Sequence, residues 1–258
     1  MKRKVLFTRR DLLKYMCTAS VLGAGSTLFA IPGSSKGSAR VAMSSTFDVV
    51  IRGGIVYDGS ERAPTQMDVG IRGDRIIAVG KLRSDDARFI DATGCMVTPG
   101  FVDVHTHCDL SFKKLQDRNI PFDVLPADFL GNFNYLFQGV TTLVAGNCGL
   151  GCGDMNRLYD ALDKVRFGSN ICYLAPHGEI RQGLFKDSQP AGLDSKQLAL
   201  MKDKVAEEMA KGAYGLSTGL EYAPGCLAQT NELIELAKVV KKCGGLYVTH
   251  IRDLTGRV

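Results

Sequence analysis

Apolar residues along this chain follow two different periods. From Thr46 to Thr98 they form short β-rich runs broken by turn residues. Asp48-Val49-Val50-Ile51-Arg52 and Gly54-Ile55-Val56-Tyr57 are separated by a glycine. Met67 to Ile71 alternates, Gly73-Asp74 reads as a hairpin turn, and Arg75 to Val79 returns. Phe89 to Ala92 and Cys95 to Val97 close the series. These runs predict a small β domain over residues 43–98, a partial β-sandwich too small to be stable alone and expected to pack on the rest of the chain.

Beyond Pro99-Gly100 the pattern becomes strands alternating with helices, which predicts an α/β fold with a parallel sheet. The strands are placed over 101–107, 140–145, 170–175, 212–220 and 246–250. Helices are predicted over 126–138, 154–165, 194–211 and 230–243. Asp154 caps the second, whose Met155, Leu158, Leu162 and Val165 share a face. Asp194 caps the third, with Gln197 three residues on and Gly212 as its stop. Gly244 stops the fourth. Residues 99–258 therefore read as about five βα units of an incomplete β/α barrel.

The first 42 residues lie outside both patterns. Met1 to Arg10 holds five basic residues, and Met16 to Ile31 carries no charge. Thr8-Arg9-Arg10-Asp11-Leu12-Leu13-Lys14 resembles a twin-arginine export signal. The uncharged stretch is short for a membrane span and suits a signal core. A cleaved leader over 1–42 and a periplasmic or otherwise exported product are expected, with the membrane met only in transit. An uncleaved anchor is the alternative. Cys17 is a poor lipidation site, because Lys14 sits three residues before it.

Charge and cysteine content then change the picture. Residues 1–42 hold eight Lys or Arg against one Asp, a net +7; the whole chain carries +5, which leaves the remainder near −2. The basic excess belongs to the leader, and no nucleic-acid partner is implied. Of the eight cysteines, seven remain after Cys17. They are scattered and odd in number, which argues against a disulfide framework.

The candidate chemistry centres on Val97 to Leu110, VTPGFVDVHTHCDL. Its apolar run ends in His105-Thr106-His107. On a continued strand the two imidazoles would point the same way, with Cα atoms about 7 Å apart, close enough to share a metal ion. Two surface histidines on an edge strand are the plainer reading. Other strand ends carry Cys148, His177, Glu221 with Tyr222, and His250 with Arg252. A parallel barrel brings such ends to one site. His177 reads as a substrate or supporting contact or as a core histidine. Tyr222 reads as a hydroxyl donor to a developing oxyanion or as packing. Arg252 reads as a bidentate partner of a substrate carboxylate or as a surface salt bridge.

Several segments carry a resemblance. FDVVIRGGIVYDG, DRIIAVG, VTPGFVDVHTH, GVTTLVAGNCG, APHGEIR, GAYGLSTGLEYAPG and GGLYVTHIRD, together spanning about residues 46–258, are similar to the amidohydrolase superfamily and, within it, the D-aminoacylase (N-acyl-D-amino-acid deacylase) family. The resemblance implies a metal-dependent (β/α)8 barrel with a small β-sandwich domain, and zinc as cofactor. It implies that Cys148 ligates zinc where many amidohydrolases use a carboxylated lysine or a glutamate. It places His250 on the same zinc and His105 with His107 at a neighbouring, weaker position. A thiolate and imidazoles suit zinc, which lowers the pKa of bound water to about 7 and polarises carbonyls. The implied reaction is hydrolysis of the acyl amide of N-acyl-D-amino acids.

The resemblance stops at Val258; Phe101 to Val258 is 158 residues, whereas an eight-stranded barrel takes about 250. The family's further zinc-binding histidine and catalytic aspartate fall beyond that point, so no catalytic residue is identifiable here. Cys108 stands where relatives often carry an aspartate. The expectation for this polypeptide alone is therefore a non-catalytic fragment. A dihydropyrimidinase- or dihydroorotase-like cyclic amidase is a third reading, against which the cysteine of GNCG argues.

Overall fold

The computed structural model describes residues 47–118, 132–164, 167–186, 188–253 and 255. The leader at 1–42 and the part of the first predicted helix at 126–131 lie outside the described residues. The chain divides into two compact units at Pro99/Gly100.

In the first unit, β1 (Val49–Val56), β2 (Thr65–Arg72), β3 (Arg75–Gly80), β4 (Arg88–Asp91) and β5 (Met96–Val97) form one sheet of order β3-β2-β1-β4, with β5 also on β1. The two runs around Gly53 are one strand, not two. Pairing with β2 shifts between Ile51 and Gly54, and Gly53 takes a φ of 74° there while its N–H bonds the Asp68 carboxylate at 2.9 Å. A glycine bulge thus absorbs what looks like a break. The core is small: Phe47, Val50 and Ala87, with Ala78 and Leu82 against it. Gly73-Asp74 makes the β2–β3 turn.

The second unit is a parallel sheet of order β10-β9-β8-β7-β6 among the described residues. Its strands are β6 (Phe101–Asp103), β7 (Val140–Ala145), β8 (Asn170–Pro176), β9 (Gly215–Gly219) and β10 (Leu246–His250). The helices are α1 (Leu110–Asp117), α2 (Phe133–Leu136), α3 (Met155–Leu162), α4 (His177–Phe185), α5 (Ser195–Lys211) and α6 (Thr230–Lys242). Leu143, Ala145, Tyr173, Ala175 and Leu216 of the strands share a core with Met155 and Leu158 of α3, Met201, Val205 and Met209 of α5, and Leu236 and Val240 of α6. Met155, Leu158 and Leu162 of the stripe read from the sequence face this layer, and Val165 lies outside the described residues. Asp194 caps α5 in a complete capping box with Gln197, and Gly212 ends it at a φ of 113°.

Two buried carboxylates tie helices together. Glu208 of α5 accepts the N–H of Met155 at 3.0 Å, at the first turn of α3, and pairs with Lys211 and Lys204 at 3.0 and 3.2 Å. A carboxylate at a helix start also complements the helix dipole. Glu232 of α6 bonds His177 and Arg181 of α4 at 2.8 and 3.2 Å, with all three side chains nearly or wholly excluded from solvent.

Some elements depart from the sequence reading. The first strand ends at Asp103, four residues before His107. α1 and α4 were not legible, and His177 opens α4 instead of lying in a loop. The described part of the first predicted helix is the single turn α2. The outer strands expose Phe101, Val102, Leu246 and Tyr247.

Candidate metal centre

The histidine pair is set by a bend, not by strand alternation. After β6 the chain turns at Val104-His105, and the N–H of His105 bonds the Asp103 carboxylate at 3.1 Å. Thr106 between the histidines is buried and bonds Val144 O with both its N–H, at 3.0 Å, and its hydroxyl, at 2.8 Å. The two rings meet edge to face, with centroids 5.6 Å apart.

The cysteine comes from the loop after β7, where Asn147–Gly149 form a 3₁₀ turn. Cys148 itself adopts φ 57°, ψ 25°, a left-handed conformation that costs a non-glycine residue about 1 kcal/mol or more. Gly146 precedes it at φ 74°, and a Cβ there would lie 2.2 Å from Leu174 O, so only glycine fits. Asn147 Nδ2 donates to Val144 O at 2.9 Å and Thr106 O at 3.3 Å, which fastens this turn to the His-Thr-His segment.

The outcome is convergence. One ligand atom each from His105, His107 and Cys148 lies within 4.8 Å of the others. Cys148 Sγ is 3.2 Å from His105 Nε2. Zinc bonds of about 2.0–2.3 Å in a tetrahedron separate ligand atoms by roughly 3.3–3.8 Å, a spacing close to the 3.2 Å that the Cys148–His105 pair already has. His107 Nδ1 is buried with no hydrogen-bond partner, a polar atom that a bound metal would satisfy. Burial, then the charge of His105, lowers the His107 pKa and favours the neutral imidazole that metals bind. Burial raises the Cys148 thiol, and the Tyr222 hydroxyl partly offsets this. His105 is exposed, so the group is open to solvent on one side.

The remaining candidates are placed differently. His250 is not in this group: its Nε2 bonds Glu221 at 2.6 Å, and its ring meets Tyr222 edge to face at 5.4 Å. The described geometry thus joins Cys148 to the His105/His107 pair, where the resemblance paired it with His250. Tyr222 donates its hydroxyl to Cys148 O at 2.6 Å. Fully buried on Glu232, His177 takes the placement of a core histidine. Arg252 lies against the loop after β9. Its guanidinium donates to Cys226 O at 3.2 Å and to Ala228 O, carbonyls left over at the end of a short 3₁₀ turn.

Sequence reasoning missed Asp109, which is wholly buried two residues after His107. Neither of its oxygens has a partner at hydrogen-bonding geometry. Burial pushes it up to about 6, tempered by nearby backbone groups and the Tyr173 hydroxyl. It also missed Ser217 and Glu232, whose neighbours are distant in sequence. Only Asn147, wedged among glycines in AGNCG, carried a local signal.

No family model matches the chain. Individual proteins do. The D-aminoacylase of Alcaligenes xylosoxydans xylosoxydans is 34% identical over 234 residues, 81% of this chain and 45% of its own length. A crystal structure of N-acyl-D-glutamate deacylase from Bordetella bronchiseptica, complexed with zinc and a phosphonate mimic of the tetrahedral intermediate, superposes with a TM-score of 0.69. It is 32% identical and covers 81% of this chain and 46% of that one. A D-aminoacylase crystal structure, described as defining a novel subset of amidohydrolases, gives 0.68 and 32%, covering 80% and 46%. The parallel sheet of the second unit is the matching part of their (β/α) barrel. This chain is a homologue of the D-aminoacylases, and it spans about half the length of the relatives it matches.

Proposed function

We propose that this chain carries the metal-holding part of a zinc-dependent hydrolase that cleaves the acyl amide bond of N-acyl-D-amino acids. One observation carries the reading: His105, His107 and Cys148 bring a thiol and two imidazoles within 4.8 Å of one another. That donor set suits zinc better than the hard cations that prefer oxygen. A zinc ion so held supplies Lewis acidity, polarising an acyl carbonyl and making a water nucleophilic at neutral pH.

The chain's own residues do the rest. Cys148, buried, would hold the ion together with His105 and His107, and the exposure of His105 would leave the group accessible to a substrate. His250, held by Glu221 and edge to face with Tyr222, borders the site from the strand-end side of β10 and is its further candidate ligand. The names of the relatives supply the substrate class.

Metal analysis after dialysis tests the centre. About one zinc per chain is expected in the wild type and none in Cys148→Ala; a variant that keeps its zinc removes Cys148 from the ligand set. Hydrolysis of N-acyl-D-amino acids, selective over the L forms and lost with a chelator, tests the reaction. Chelator-resistant or L-selective turnover would count against it, and turnover of cyclic amides would favour the cyclic-amidase reading.

A second reading has its own observation. The outer strands expose Phe101, Val102, Leu246 and Tyr247, apolar surface that a closed barrel would cover. On this reading the chain holds zinc without turnover until further strands close the sheet. Zinc binding with no hydrolysis by the chain alone is its signature.

Export by the twin-arginine route belongs to the same proposal and rests on the sequence of residues 1–42. Replacing Arg9 and Arg10 with Lys is expected to leave the precursor in the cytoplasm; an unchanged exported fraction would overturn it.

A further inference from the structure

We infer that Ser217, with Tyr222 beside it, is a positioning residue for the Cys148 thiolate. The inference rests on the proposed metal centre. Ser217 lies in β9, all five residues of which are buried, and is itself wholly excluded from solvent. Its Oγ donates to Gly146 O and accepts the N–H of Gly149 at 3.0 Å. One hydroxyl therefore clamps both ends of the Asn147-Cys148-Gly149 turn. Tyr222, three residues after β9, takes the carbonyl between them, donating to Cys148 O at 2.6 Å.

The clamp answers a local cost. Cys148 is left-handed, at φ 57°, between two glycines that are left-handed as well. A non-glycine residue holds such a conformation only where its surroundings over-determine it. Three backbone groups around Cys148, one before it, its own and one after it, are tied to β9 and the loop that comes after it. Without the serine, the buried Gly149 N–H and Gly146 carbonyl lose those bonds, a penalty that relaxation of the turn would relieve. That relaxation moves the thiol away from His105 Nε2, now 3.2 Å from it. A three-ligand centre depends on that spacing, and groups that orient ligands typically contribute 10–100-fold in metal affinity.

The test is zinc affinity of the full chain by competition with a chromophoric chelator, alongside the thiolate-to-cobalt absorption of the Co(II) form. Ser217→Ala is expected to weaken zinc binding 10–100-fold and to shift or weaken the cobalt band. Tyr222→Phe, which alters a partly exposed residue, is expected to weaken it several-fold in the same direction. Ser169→Ala is the control. That serine donates to Val140 O at 2.7 Å at the other end of β7, so its loss should lower thermal stability and leave affinity within about twofold. Wild-type affinity in Ser217→Ala overturns the inference, as does an equal loss in Ser169→Ala. If Ser217→Ala does not fold, unchanged affinity in Tyr222→Phe overturns it. A wild-type chain that binds no zinc overturns the metal centre itself, a result distinct from both.

Discussion

In the middle of the parallel sheet, Cys172 to Pro176 of β8 and Gly215 to Gly219 of β9 are buried without exception; on the outer strands β6 and β10, no residue is fully buried. The middle strands have helices or neighbouring strands on every side, so their polar groups must be satisfied inside the protein. Thr218 bonds Tyr247 and Thr249, and Ser217 bonds the Cys148 turn. The outer strands instead end in histidines that reach solvent: His105 and His107 after β6, His250 at the end of β10. The middle of the sheet therefore supplies rigidity, and its margins supply the imidazoles. Cys148, after β7, lies between the two and is fixed by the middle strands while facing a marginal histidine.

Substitutions can break this contrast. The largest stability loss is expected in the middle. Leu216 is wholly buried, and Leu216→Ala should cost about 2–5 kcal/mol in denaturant unfolding, from lost transfer energy and a residual cavity. A cost below about 1 kcal/mol would mean that the middle strands are not where stability resides.

An intermediate, pH-dependent loss is expected where α4 meets α6. Burial, the largest influence on Glu232, pushes its carboxyl up, but the bonds and charges of His177 and Arg181 outweigh it and hold it below its usual value of 4.5. A depressed carboxylate contributes stability above its unfolded pKa and loses it as pH falls through the folded one. Glu232→Gln should therefore cost about 1–3 kcal/mol near neutrality, from a buried ionic group left partly unpaired. The gap to wild type should narrow below about pH 4.5, where the wild type loses the same contribution. A gap constant from pH 7 to pH 3, measured by urea unfolding, would show that the charge is not what matters.

The smallest effect is expected at the margin. Leu246 is exposed at the start of β10, and Leu246→Lys should change stability by less than about 0.5 kcal/mol while reducing self-association, since charge on an edge strand opposes edge pairing. Light scattering and unfolding together check it. A loss comparable to that of Leu216→Ala would show that the margin is packed after all.

What the sequence determined by itself is whatever depends on near neighbours. Helix stripes with their caps, Asp154, Asp194 with Gln197, and Gly212, were legible because capping and periodicity act within one or two turns. The hairpin at Gly73-Asp74 was legible for the same reason. So was the alternation that makes the second unit parallel. The ends of strands that carry His105, Cys148 and His250 were readable because a parallel sheet puts its strand ends together.

Tertiary structure alone decided how those residues group. Cys148 turns to the histidine pair because its left-handed backbone is clamped by Ser217 and Tyr222, about 70 residues away. His250 is drawn to Glu221, His177 is locked onto Glu232, and Arg252 is spent on two loop carbonyls. Each outcome is a competition between partners distant in sequence, settled by which donor or acceptor burial would otherwise leave unsatisfied.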